Sequence, residues 1–301
     1  MIHILRVVPL RFLCCTSMFL AFGLFASASQ AALTPEDAAM NQPVQPFRII
    51  GDIYYVGASD VTSYLIVTPK GDILLDSGFA ETVPQVEKNI AALGFKLADV
   101  KILINSHAHF DHAGGLAELK RVTHASLEVS AADAAIMARG GKDDPGYGDR
   151  FRYEPVTADK LLKDGDEVEL GGVILTAHVT PGHTPGCTTW TTRVEEGGKL
   201  YDVLFLCSVT APGYQLVGNP RYPGIVADFT RSFAVLHALP CDVFLGAHGG
   251  YYGLQEKIAR LQRHEPGNPF IDPRGYRDYL DKAEQAFKRE LAEQQAAAAK
   301  H

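Results

Sequence analysis

A surplus of positive charge is the first thing this sequence lacks: 28 Lys and Arg stand against 35 Asp and Glu, a formal net charge of −7 over 301 residues. Without a basic excess the chain cannot neutralise a phosphate backbone, which excludes nucleic acid as a partner. Five cysteines are too few to frame a fold on disulfides alone. There is no low-complexity linker, and beyond residue 25 no apolar run is long enough to span a bilayer. What is present is ordinary globular composition, 47% apolar and 21% charged, with enough apolar mass to bury a substantial core.

The one long apolar run lies at the start. Arg6 and Arg11 precede an apolar stretch over residues 12–25, and small residues cluster from Ala26 to Ala32. This is the pattern of a secretory signal, with cleavage expected between Ala28 and Ala32. The expected organisation is a removed signal, 1–31, followed by a single catalytic domain, 32–301. Losing Arg6 and Arg11 and no acid takes the net charge from −7 to −9. The mature protein is then expected in the periplasm, free of the membrane and monomeric. Cys187, Cys207 and Cys241 survive, and an odd number leaves at least one thiol without a partner in the same chain. A Cys187–Cys207 bridge is conceivable, but the sequence does not choose the pair.

Strand patterns cover residues 47–50, 53–56, 63–67 and 73–76, with Pro69-Lys70-Gly71-Asp72 as a turn. Val83, Val86, Ile90 and Leu93 form a stripe at helical spacing that ends at Gly94, and a short buried run follows at 100–104. The second half repeats the plan, with strands at 167–170, 173–179, 188–194 and 200–206, a helix marked by Phe229, Phe233, Leu236 and Leu239, and a strand at 242–245. Strands followed by helices, twice, predict an α/β fold. Two mixed β-sheets pack face to face with helices on the outer faces, an αβ/βα four-layer sandwich. Tyr276, Leu280, Ala283, Phe287 and Leu291 predict a packed amphipathic C-terminal helix. Residues 140–154, rich in Gly, Asp and Pro and carrying exposed-looking Tyr147, Phe151 and Tyr153, predict a long functional loop.

Four apolar runs each stop at a polar residue suited to a metal or a ligand: His107, His183, Ser208 and His248. Strand ends from distant parts of a chain can converge on one edge of a sheet and line a cleft. The densest block is His107-x-His109-x-Asp111-His112. In extended backbone His107 and His109 face the same way and can share an ion, while His112 turns elsewhere. Gly114-Gly115 then permits a tight backbone. Two adjacent ions are therefore expected, one on His107 and His109, the other on Asp111 and His112. His183, in a Gly/Pro loop, and His248, in Gly-Ala-His-Gly-Gly, are the natural candidates to complete them. Imidazole and carboxylate without thiolate suit zinc in an open catalytic site. A single histidine at a strand end is more often structural, and His124, His178, His237 and His264 are assigned structural or surface roles. Three histidines and an aspartate within six residues have no packing explanation.

These blocks resemble the metallo-β-lactamase superfamily, which carries His-x-His-x-Asp-His after a buried strand, a distant His in a Gly-His loop and a last His towards the C-terminus. Within it the chain is most similar to class B β-lactamases of subclass B3, through residues 106–115, 180–192, 208–216 and 240–248. The resemblance implies that His107, His109 and His183 bind a first zinc and that Asp111, His112 and His248 bind a second. Position 208 separates branches. Thioesterase and lactonase branches place a bridging aspartate there and two other lactamase subclasses a zinc-binding cysteine, whereas this chain has Ser208. Cys207, its neighbour, would point to the opposite face of the strand. Members of the subclass often pair a cysteine matching Cys241 with one in the C-terminal helix, where this chain has Tyr276.

Two divalent ions with one carboxylate leave a positive pocket, and zinc brings the pKa of bound water to about 7. The resemblance implies that a zinc-bound hydroxide opens the lactam ring of a penicillin, cephalosporin or carbapenem. Asp111 would be a ligand that also orients the nucleophile. Ser208 and Thr210 would hydrogen-bond the substrate carboxylate, and Tyr214 would bind substrate and donate to the oxyanion. The rival readings are a metallo-hydrolase of the same superfamily acting on thioesters, lactones or phosphoesters, and a noncatalytic zinc-binding protein.

Overall fold

Strands that are apolar on both faces need cover on both, and the chain supplies it in four layers. The computed structural model describes Ile2 and residues 33–300, so the predicted signal lies, Ile2 apart, outside the described residues. After a short helix α1 (Pro35–Met40) comes a seven-stranded sheet in the order β1 (Phe47–Ile50), β2 (Ile53–Tyr55), β3 (Tyr64–Thr68), β4 (Gly71–Leu75), β5 (Val100–Ile104), β6 (Ser126–Ser130), β7 (Lys160–Leu162). Its first four strands pair antiparallel, and β4 to β7 pair parallel. The second sheet has five strands in the order β12 (Val243–Gly246), β11 (Lys199–Leu206), β10 (Thr188–Glu196), β9 (Val173–Val179), β8 (Glu167–Leu170). In it only β11 and β12 pair parallel.

Side-chain alternation divides the core. Leu65, Leu74 and Leu103 face outward from the first sheet onto α2 (Val83–Ala92) and α4 (Leu116–Thr123), where they meet Val83, Val86, Ile90, Leu116 and Leu119. Ile66, Ile73, Leu75 and Ile104 face the other way and join Leu175, Ala177, Trp190 and Phe205 of the second sheet. That cluster continues to Phe229 and Phe233 of α6 (Ile225–Ala238) and to Tyr276, Leu280 and Phe287 of α9 (Pro273–Ala298). Truncating a fully buried member such as Leu103 to Ala would cost about 2–5 kcal/mol. The mixed-sheet sandwich and the amphipathic C-terminal helix are those expected.

The stretch 116–162 holds elements that its sequence pattern did not announce: α4, β6, α5 (Ala131–Met137) and β7. Each is short, α4 being amphipathic over only eight residues and α5 alanine-rich; pairing with β5 and packing on the sheet fix them. Residues 140–154 form no regular helix or strand. The reading of their aromatics as exposed needs correction: Tyr153 is buried and its hydroxyl donates to Ala108 O at 2.6 Å. The Gly114-Gly115 pair serves close approach rather than unusual dihedrals, since a Cβ on Gly114 would run into Phe110 O and Ala80 N. Cys187 and Cys207 form a disulfide across 5.9 Å between Cα atoms, while Cys241 has no disulfide partner among the described residues and Tyr276 donates its hydroxyl to Leu236 O. Among the described residues no helix is long and apolar enough to cross a membrane.

Candidate metal centre

Each group of the site is placed by the end of a strand. β5 stops at Ile104 and the chain runs through Ser106, His107 and His109 into the single turn α3 (Phe110–Ala113), which carries Asp111 and His112. β9 hands over to the loop holding His183, β11 to Cys207 and Ser208, and β12 to His248 just before α7 (Gly249–Tyr252). The helical turn, absent from a purely extended reading, brings His112 back beneath His107, with ring centroids 4.3 Å apart. His107, His109 and His183 offer nitrogens within 4.8 Å of one another. In the neighbouring group Asp111 Oδ2 lies 3.2 Å from His112 Nε2 and 3.5 Å from His248 Nε2, and the two Nε2 atoms lie 3.2 Å apart. All six residues named from the sequence therefore meet in one place.

The partner of each ring determines which nitrogen is left facing inward. His183 Nδ1 donates to Thr210 O at 2.8 Å, and His248 Nδ1 donates to Asp60 Oδ2 at 2.8 Å. Ser106 gives its own proton to Asp76 Oδ2 at 2.7 Å, so its oxygen accepts from His107 Nδ1 at 3.0 Å. His112 Nδ1 lies 3.3 Å from Asp76 Oδ2. For His107, His183 and His248 the nitrogen left facing inward is Nε2, and His107 Nε2 is buried with no hydrogen-bond partner among the described residues; His112 Nδ1 also has none there, and its Nε2 faces Asp111 Oδ2 and His248 Nε2. His109 is reversed: its Nε2 faces Tyr214 Oη at 3.4 Å and Asp144 Oδ2 at 3.5 Å, leaving Nδ1 free. Neutral His112 and His248 would confront each other with two lone pairs at 3.2 Å, an arrangement that calls for a proton or a cation between them.

Burial holds His107 and His183 well below the ordinary imidazole range, so both stay neutral with lone pairs available. Burial also opposes charge on His112, but the Asp111 and Asp76 carboxylates outweigh it and push His112 up to about 10. His112 and His248 in turn outweigh the burial of Asp111 and hold its carboxyl well below the usual carboxylate range. A buried, oriented imidazole trio beside a carboxylate-bearing trio is a donor set that fits divalent cations of the zinc kind.

A cavity of about 320 Å³ opens over these groups. His109, Asp111, His183 and His248 line it together with Thr210, Pro212 and Tyr251, with Tyr147, Arg150 and Phe151 from the loop, and with Glu36, Asp37 and Met40 of α1. Two expected substrate contacts are placed differently. Ser208 is buried, its hydroxyl engaged with Thr210 Oγ1 at 3.1 Å and Tyr251 Oη at 3.0 Å, behind the wall that Thr210 presents. Tyr214 is buried too; it donates to His183 O at 3.0 Å and stacks on the His183 ring, so its proton is already committed. Cys207 turns away into its disulfide, as strand alternation requires. His178 bonds Thr191 Oγ1 and His237 pairs with Glu284, both remote from the site.

Asp60, Asp76, Asp133, Asp144, Arg150 and Tyr251 were not singled out from the sequence, whereas Tyr147 was named there as a loop aromatic. Asp133 ties two segments of the site together. It accepts from Ala108 N, Thr184 Oγ1 and Gly186 N, each at 2.8 Å, and so pins the His107–His109 segment to the His183 loop. Asp76 showed one sign in the sequence, its place at the end of the apolar run of β4, and in the structure its φ of 61° is a left-handed conformation unusual for a residue other than glycine.

Residues 56–248 match the family described as the metallo-beta-lactamase superfamily. Among solved structures, native FEZ-1 metallo-beta-lactamase from Legionella gormanii is 45% identical with a TM-score of 0.83, over 85% of this chain and 98% of that one. BJP-1, a subclass B3 metallo-beta-lactamase of Bradyrhizobium japonicum, is 40% identical with a TM-score of 0.81, over 86% and 98%. A probable metallo-hydrolase of Burkholderia pseudomallei is 33% identical over 35% of each chain. The human acyl-coenzyme A thioesterase MBLAC2 is 27% identical over 46% of this chain and 56% of its own. This chain thus spans about a third to just over half of the length of these curated relatives.

Proposed function

The chain belongs to the metallo-beta-lactamase superfamily, and from that premise we propose that it is a zinc-dependent β-lactamase of the subclass B3 kind. It hydrolyses the lactam amide bond of penicillins, cephalosporins and carbapenems and so confers resistance to them. The observation that carries this reading is the meeting of five imidazoles and one carboxylate from three separated segments at the floor of an open cavity. Identity of 40–45% to metallo-beta-lactamases over most of the chain supports the substrate class. Ser208, where thioesterase and lactonase branches keep an aspartate, weighs against those substrates.

When bound, zinc supplies an acidified water and a Lewis acid for the lactam carbonyl. His107, His109 and His183 would hold one ion, and Asp111, His112 and His248 a second. Asp111 Oδ2 faces His112 and His248, which leaves Oδ1 to accept a hydrogen bond from the attacking water and orient it. The Thr210 hydroxyl takes the substrate carboxylate, steadied from behind by Ser208, and Arg150 adds positive charge to the same wall. Tyr214 seats the His183 backbone and the His109 ring instead of donating to the oxyanion. We further read the protein as a periplasmic monomer freed of residues 1–31 on export, on the strength of Arg6, Arg11 and the apolar run after them.

The test is hydrolysis of a carbapenem, a penicillin and a cephalosporin by the purified mature protein, with a thioester and a lactone alongside. Ring opening that EDTA abolishes and zinc restores is expected. A zinc-replete protein that leaves every lactam intact but cleaves the thioester or lactone would replace this reading with the rival one.

A further inference from the structure

Asp144 stands outside the six metal-side groups, in the loop between α5 and β7, yet it is buried to 4% exposure. Its Oδ1 accepts the backbone N–H groups of Gly146 at 2.8 Å and Tyr147 at 2.7 Å. Its backbone exchanges hydrogen bonds with Gly148 in both directions, at 3.0 and 2.8 Å, closing a tight turn. Its Oδ2 has no hydrogen-bond partner among the described residues and faces His109 Nε2 at 3.5 Å. A buried carboxylate oxygen left bare is costly, and His109 is the polar group brought up to it. The same turn carries Tyr147, whose ring lies 4.9 Å from that of His109 and 5.5 Å from that of Tyr214. Phe151 then stacks at 4.2 Å on Phe110, the residue after His109.

We infer that Asp144 is a positioning residue that couples metal occupancy at His109 to closure of the 140–154 loop over the cavity. A cation taken on His109 Nδ1 requires the ring proton to sit on Nε2, opposite Asp144 Oδ2. The cation strengthens that N–H as a donor, and the carboxylate makes Nδ1 a better ligand. Tyr214 Oη also lies near Nε2, but it is an uncharged acceptor whose proton is committed to His183 O, so the carboxylate is the stronger partner. Because the linkage is reciprocal, a metal that tightens the Asp144 contact also holds Tyr147 and Arg150 at the cavity wall, and an ordered loop raises affinity for the metal. The inference rests on the metal reading of His109 and not on the identity of the substrate.

Two measurements on the metal-free and zinc-loaded protein test it: zinc affinity by competition with a chromophoric chelator, and amide hydrogen exchange over residues 143–151. In the wild type, zinc is expected to slow exchange at Gly146, Tyr147 and Gly148 several-fold. In Asp144→Asn, zinc binding at the first site is expected to weaken about 10–100-fold, and exchange in the loop no longer to respond to zinc. A wild-type protein that binds no zinc removes the metal reading itself. A wild type that binds zinc without any change in loop exchange overturns this inference alone, needing no variant, as does an Asp144→Asn protein with unaltered affinity.

Discussion

The two halves of the metal centre are built from the same side chain and tuned in opposite directions. His107, His109 and His183 are buried imidazoles whose outer nitrogens lean on a serine hydroxyl, an aspartate with a tyrosine, and a backbone carbonyl. Desolvation keeps His107 and His183 neutral. Asp111, His112 and His248 form a charged group in which carboxylates draw a proton onto His112, and it opens to the cavity at Asp111 and His248, 13% and 17% exposed, while His112 is at 0%. Environment rather than residue type therefore divides the labour: a buried imidazole trio to anchor a cation, and a charged trio at the cavity floor to work on what enters.

The sharpest way to break that division is Asp111→Ala. It removes the charge of the second trio and leaves the first intact. Turnover is expected to fall by about 10²–10⁴-fold with loss of one metal equivalent, measured as kcat and zinc stoichiometry together. Unchanged kinetics would mean that the two trios do not differ in role. Asp60→Ala is the gentler probe, since it touches only the partner of His248 Nδ1. It should weaken one zinc equivalent about 10–100-fold and spare the other, read by chelator competition.

The smallest expected effect concerns the scaffold between the trios. Asp133 accepts three hydrogen bonds, so Asp133→Asn must turn an N–H donor towards another donor and should cost about 1–3 kcal/mol of stability in the metal-free protein. Burial outweighs those three bonds and pushes the Asp133 carboxyl up to about 6, above its ordinary 3.8. The folded chain thus holds this proton where the unfolded chain has lost it. Its stabilising contribution is full below about 4 and fades as pH rises through about 6. The stability gap between the wild type and Asp133→Asn should widen from pH 7 to pH 5 in denaturant unfolding with chelator present, and a gap that narrows would contradict the assignment.

Much of this was legible from the chain alone because the signal was local. Apolar runs ending in polar residues announced the strand ends, and the density of ionisable groups between His107 and His112 had no packing explanation. The residues that orient the ligands were not legible. Asp60, Asp133 and Asp144 look like ordinary loop and helix acids in sequence, and they acquire meaning only when tertiary contact brings them to His248, Ala108 and His109. Ser208 and Tyr214 show the converse. Family likeness placed them at the substrate, whereas their hydroxyls are taken up by Thr210, Tyr251 and the His183 carbonyl. Hydrogen-bond satisfaction in a buried wall is decided by neighbours far away in the chain.

Crystals of the mature protein grown with zinc and measured on either side of the zinc absorption edge address the paired centre most directly. Two anomalous peaks are expected, one bounded by His107, His109 and His183 and the other by Asp111, His112 and His248. A single peak shared by both trios, or peaks bound elsewhere on the surface with these six residues bare, would contradict the account.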